Sequence, residues 1–145
     1  MKKYIVYLCI ASLTLSGCKK DADGVGLKSA SSTEIPADPN GLSLNDEQKW
    51  IVNREMGSHF EAMESDIRNF IPSDDIVALQ SRLQDNISQL TSKCTMKGQA
   101  HDELHKWLVP VIKTVETMDV QNPEEIIETL KEQFETYHLY FELES

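Results

Sequence analysis

The chain has 145 residues, 40% of them hydrophobic, and its 14 Lys and Arg against 24 Asp and Glu give a formal charge of −10. That length suits one domain with a real core and is too short for two. The acidic balance argues against nucleic acid, which is bound by Lys and Arg neutralising phosphates, and against a helix lying flat on an anionic membrane, which needs a basic polar face.

The first element is a leader. Met1, Lys2 and Lys3 make a basic start, Tyr4 to Leu15 form an apolar run, and Leu15-Ser16-Gly17-Cys18 is a small-residue approach to a cysteine. An apolar run this short cannot span a bilayer as a helix, which needs about 20 residues, so residues 1–17 are expected to be a signal peptide. Leu15-Ser16-Gly17-Cys18 resembles the lipobox of bacterial lipoproteins. The resemblance implies cleavage before Cys18, acylation of that cysteine and a protein held to a membrane by its lipid alone, at roughly 0.8 kcal/mol per buried CH₂. The mature chain would then have 128 residues and, with Lys2 and Lys3 gone, 12 basic residues against 24 acidic ones and a charge of −12. Cys9 would leave with the leader and Cys18 would carry lipid. Cys94 would remain without an intramolecular disulfide partner in a compartment where disulfides form. The plain alternative for such a residue is a buried, inert thiol acting as a small hydrophobe.

Residues 18–42 read as the lipid attachment point followed by a flexible, disordered linker, because they are rich in Ser, Ala, Gly, Asp and Pro and carry no apolar period. Such a tether has a root-mean-square reach on the order of 27 Å. Lys19, directly after the lipidated cysteine, is similar to outer-membrane lipoproteins, which implies an outer-membrane anchor with the domain facing the periplasm or the cell surface. The run Cys18-Lys19-Lys20-Asp21 and the later string from Cys94 to Leu108 are similar to Bacteroidota lipoproteins with a helical domain, a resemblance that implies no particular activity.

From residue 43 to 145 the apolar residues recur at steps of three and four, and breakers divide them into four helices. The first is expected over 44–70, with Ser43 as N-cap and Asp46 approximating a capping box. Ile71-Pro72-Ser73 ends it, with Ser73 able to cap a second helix over 74–93. A third is expected over 99–118 with Pro110 inside it. The fourth opens at Asn122-Pro123-Glu124-Glu125, with a cap, a proline in the first turn and acids at the positive end of the helix dipole, and runs to about 141. The expected seams are Val52, Met56, His59, Met63, Ile67 and Phe70, then Ile76, Leu79, Leu83, Ile87 and Leu90. They continue with His101, Leu104, Leu108, Val111, Val115 and Met118, then Ile127, Leu130, Phe134, Tyr137 and Phe141. Short connections make sequential helices antiparallel neighbours, so the fold expected is an all-α, antiparallel up-down-up-down four-helix bundle.

His59 and His101 fall on seam positions, His105 lies one turn beyond His101, and His138 lies one turn beyond Phe134. Counted along the helices at about 1.5 Å per residue, Met56, His59, His101, His105 and His138 lie within roughly 9 Å of one level. The loop before the third helix adds Cys94 and Met96. Histidines at i and i+4 can hold one ion, and thiolate and thioether are soft donors suited to copper, with zinc served by the Cys and His alone. The expected site is therefore His101 and His105 first, then Cys94 and Met96, with His59, His138 and Met56 in support. The expected function is a membrane-tethered, extracytoplasmic copper- or zinc-binding protein that sequesters, delivers or senses the ion without catalysis. The competing expectation is a metal-free helical interaction module whose histidines are only core or surface and whose protein partner is not specified by sequence.

Two further chemistries have partial support. His101-Asp102-Glu103-Leu104-His105 resembles the HExxH motif of zinc peptidases, but Asp102 stands where that family has its glutamate base and is one methylene too short to activate a zinc-bound water. Met56 or Met63 with His138 is similar in outline to the ligands of soluble b-type cytochromes; well-filled seams leave little room for a porphyrin, so haem is not expected.

Overall fold

The computed structural model describes residues 38–145. The expected leader, Cys18 and most of the expected linker lie outside the described residues. The elements run β1 (Trp50–Val52), α1 (Arg54–Asn69), α2 (Ile76–Ser92), α3 (Gln99–Glu116), α4 (Pro123–Tyr140) and β2 (Phe141–Leu143). Each helix packs on its neighbours in sequence, and α1 also packs on α4, closing the ring of an antiparallel up-down-up-down four-helix bundle.

Local chemistry accounts for where most helices begin and end. Asn53 caps α1, its side chain accepting from the Met56 amide at 2.8 Å. Asp75 caps α2 by accepting from the amides of Val77 and Ala78 at 2.9 and 3.2 Å; it takes the role expected of Ser73, whose hydroxyl is one atom shorter in reach and two residues upstream. Helix α3 runs through Pro110 without a break. Helix α4 begins with Pro123 in its first turn and Glu124 and Glu125 at its positive end, as expected, although the Asn122 side chain makes no cap bond.

The segment before α1 departs from expectation. The first helix was expected from 44; instead residues 45–48 make a tight turn, with paired Asn45 and Gln48 backbone bonds of 2.9 Å, and residues 50–52 form β1. Trp50 and Val52 are buried and Ile51 between them is exposed, a period of two that a three-or-four reading absorbs into a helix. Ser43 is not free to cap, because both its amide and its hydroxyl are bound elsewhere. Strand β1 pairs in parallel with β2, Trp50 opposite Phe141 and Val52 opposite Leu143, so the start and end of the described chain are laced together. Leu143 of β2 rests over Gly57 of α1, where a Cβ would stand 2.7 Å from its Cδ2.

The core follows the seams closely on α2 and α4 and departs at two histidines. Ile76, Leu79, Leu83 and Leu90 are buried from α2, and Ile127, Leu130, Phe134, Tyr137 and Phe141 from α4 and its extension. On α1 the buried residue between Met56 and Met63 is Phe60, while the expected His59 is half-buried beside it. Both positions satisfy a three-and-four step; burying a phenylalanine contributes about 1.5–3 kcal/mol, whereas a buried imidazole must first find partners for two nitrogens. On α3, Trp107 is buried and His101 is half-buried. Phe60, Trp107, Phe134, Tyr137 and Phe141 form one aromatic cluster with ring centroids 4.5–5.4 Å apart. Among the described residues no helix is long and apolar enough to cross a membrane.

Candidate metal centre

The seven expected donors separate into four environments. Met56 is fully buried in the core, so its thioether is a packing group. Met96 is half-buried and packs against the same core from the α2–α3 loop. His59 points to α2: its Nδ1 lies 3.0 Å from Asn86 Oδ1 and its Nε2 lies 3.1 Å from Lys93 Nζ. Asn86 uses its amide nitrogen on the Arg82 carbonyl, so its Oδ1 is the acceptor and His59 holds the Nδ1–H tautomer. The remaining lone pair of His59 therefore faces an ammonium group, a cation occupying the place a metal would need. His138 is exposed on α4, with Nε2 3.0 Å from Glu64 Oε1.

Cys94, His101 and His105 remain together. Cys94 Sγ lies 3.5 Å from His101 Nδ1, and the His101 and His105 rings stand 4.3 Å apart, one helical turn removed. The local fold makes this meeting. Helix α2 ends at Ser92, and Asn53 Nδ2 donates to Thr95 Oγ1 at 2.9 Å, which ties the following loop to the start of α1. Gly98 then turns the chain into α3 with φ +61° and ψ −146°, a conformation essentially restricted to glycine. Cys94 and His101 are half-buried and His105 is exposed, so the cluster opens to solvent.

An ion bonded to sulfur at about 2.3 Å and to nitrogen at about 2.0–2.1 Å with tetrahedral angles holds those atoms about 3.6 Å apart. The Cys94–His101 separation matches that geometry. His105 makes no contact with Cys94; its ring stands tilted at 56° to that of His101, one turn along the helix. Among the described residues no group of three or more His, Cys, Asp or Glu is already arranged around an ion position. The convergence of all four imidazoles expected from the level count is therefore corrected: helix rotation, which that count cannot see, sends His59 toward α2 and His138 to the surface.

The same stretch holds a group whose role the spacing analysis missed. Glu103 is the one buried charged residue among those described, 3% exposed. Its carboxylate accepts from the Ser43 amide and hydroxyl, both at 2.9 Å, and from Lys106 Nζ at 2.8 Å. Burial raises its pKa, but the Lys106 and Ser43 bonds outweigh that and hold it below the ordinary carboxylate range. Lys106 also donates to the Gly41 carbonyl at 2.9 Å, and Trp50 Nε1 to the Ser43 carbonyl at 2.7 Å. Packing thus reaches upstream of residue 42: Leu42 is buried and residues 41–43 are fastened to α3. The signal was present in sequence, since Glu103 neighbours Leu104 on the stripe that includes Trp107, Leu108 and Val111, and an acid there needs a partner. Asp102, the position weighed as a peptidase base, is exposed.

Comparison with known proteins adds no identification, since no family model, no curated protein and no solved structure matches the chain.

Proposed function

We propose that this chain is a membrane-tethered, extracytoplasmic protein that binds one soft metal ion through Cys94, His101 and His105 and does not catalyse a reaction. The observation that carries the reading is the Cys94 Sγ to His101 Nδ1 separation of 3.5 Å, with a second imidazole on the next turn. Copper(I) suits this set better than zinc, because it is satisfied by two or three soft donors, whereas a zinc site needs a fourth ligand. The solvent-facing, half-open position favours taking up and passing on an ion over burying it as a structural prop. The tether rests on Leu15-Ser16-Gly17-Cys18 and its likeness to the lipobox; Cys18→Ala is expected to release the protein from membranes.

The test is an anaerobic copper(I) titration of reduced protein against a competing chelator, with elemental analysis of protein purified without chelators. One equivalent bound per chain, lost in the paired His101→Ala/His105→Ala variant, supports the site. No binding of copper(I), copper(II) or zinc would overturn it and leave a metal-free helical interaction module. Unchanged affinity in the paired variant would move the ion elsewhere.

A further inference from the structure

The two donors that meet in the ion site are both held from one stretch of chain, the segment before α1. Residues 94–97, which carry Cys94, form neither helix nor strand, and α3, which carries His101, starts at Gly98 without a side-chain cap. Local structure gives neither donor a firm mount. We infer, resting on the ion reading above, that residues 43–53 act as a clamp on that site, with Ser43, Asn53 and Thr95 as positioning residues. Ion binding and the fastening of the clamp strengthen each other.

The Cys94 side is held through Asn53. Its Oδ1 accepts from the Met56 amide and caps α1, while its Nδ2 donates to Thr95 Oγ1 at 2.9 Å, a double use that a carboxylate, having no N–H, could not make. The His101 side is held through Ser43. Its amide and hydroxyl both reach Glu103 at 2.9 Å, midway along α3 between His101 and His105. Between these two anchors the segment is stiffened, since Trp50 Nε1 donates to the Ser43 carbonyl at 2.7 Å, Trp50 and Val52 are buried, and β1 pairs with β2. One braced span therefore grips both the loop that carries Cys94 and the second turn of α3. It holds Sγ and Nδ1 3.5 Å apart, the separation a shared ion requires. A site that is competent only part of the time binds more weakly by that fraction, so a lost tie that leaves the donors aligned about one-fifth of the time lowers affinity about fivefold. Linkage makes the effect reciprocal: what the clamp adds to ion affinity the bound ion adds to the clamp, and occupancy of the site is felt at residues 41–43.

The test is a copper(I) titration of the reduced full chain against a competing chelator, together with hydrogen exchange of the Ser43 amide followed by nuclear magnetic resonance with and without the ion. Thr95 is exposed, so Thr95→Val removes the hydroxyl that Asn53 binds without touching the core or the α1 cap. It should weaken copper(I) binding about fivefold with the melting temperature unmoved, and Thr95→Ser, which keeps the hydroxyl, should bind as the wild type does. Ser43→Ala should act in the same direction by a smaller factor, because the amide of residue 43 still reaches Glu103. Saturating the wild type with copper(I) should slow exchange of the Ser43 amide severalfold, the reciprocal effect. Thr95→Val and Ser43→Ala binding as tightly as the wild type, Thr95→Ser binding no better than Thr95→Val, or Ser43 exchange unchanged at saturation would each overturn the clamp and leave the ion site standing. No copper(I) binding by the wild type would overturn both.

Discussion

The five residues from His101 to His105 face two ways, and the two faces obey different rules. Glu103 and Leu104 turn inward, where the carboxylate is fully occupied by Ser43 and Lys106. His101 and His105 turn toward the loop and solvent, where Cys94 meets His101 with a single long contact. The inward acid is held by three donors and fastens a distant segment; the outward imidazoles make no bond to a distant segment.

That contrast breaks most sharply at Glu103. Glu103→Ala leaves the Lys106 ammonium and two Ser43 donors without their acceptor and should cost about 3 kcal/mol in chemical denaturation, with the 41–43 segment becoming protease-sensitive. The pH dependence carries the same sign. Because the folded carboxyl titrates below its unfolded range, its contribution is present above the ordinary carboxylate range and is lost as pH falls through the folded value. Wild-type stability should therefore drop with acid more steeply than that of Glu103→Gln, and parallel acid curves would refute the assignment.

The outward face should respond in the opposite way. His101→Ala/His105→Ala is expected to change stability by less than about 1 kcal/mol while lowering copper(I) affinity about 100-fold, close to 2.7 kcal/mol. A large loss of stability in that variant would mean the histidines are structural.

Gly98→Ala joins the two regions. A Cβ at residue 98 meets nothing within 4 Å, so the cost is conformational alone, about 2 kcal/mol, and it should appear as a lower melting temperature together with weakened ion binding. The smallest effect belongs to the turn before β1, where Asp46 and Glu47 have φ of 48° and 68°. Asp46→Asn/Glu47→Gly supplies residues that prefer this conformation and should raise stability by about 1 kcal/mol without touching the ion site.

Several parts of this picture were legible in the residues themselves. Helices α2, α3 and α4 were bounded to within about two residues by Pro72, Gly98 and Pro123, and the α2 and α4 seams named the buried residues almost completely. The Cys94, His101 and His105 grouping was legible because it is local: twelve consecutive residues, the last five spanning one helical turn, contain all three side chains. Misreadings arose where two periods fit the same residues. Positions 59 and 60 both satisfy the spacing around Met56 and Met63, and Trp50 and Val52 fit a helix as readily as the strand they form.

Sequence by itself determined that four amphipathic segments would bury one stripe each, because apolar periodicity and end signals act within a few residues of chain. It also set the donors at the α3 entrance side by side. Only the tertiary structure decided which edge of each stripe faces inward, and so gave His59 to Asn86 and Lys93 and left His138 at the surface with Glu64. It alone brought Ser43 to Glu103 across 60 residues and Trp50 to Phe141 across the whole bundle. Rotating a helix by one residue changes no local preference, so the choice rests on how much apolar surface and how many polar partners the assembled neighbours can supply.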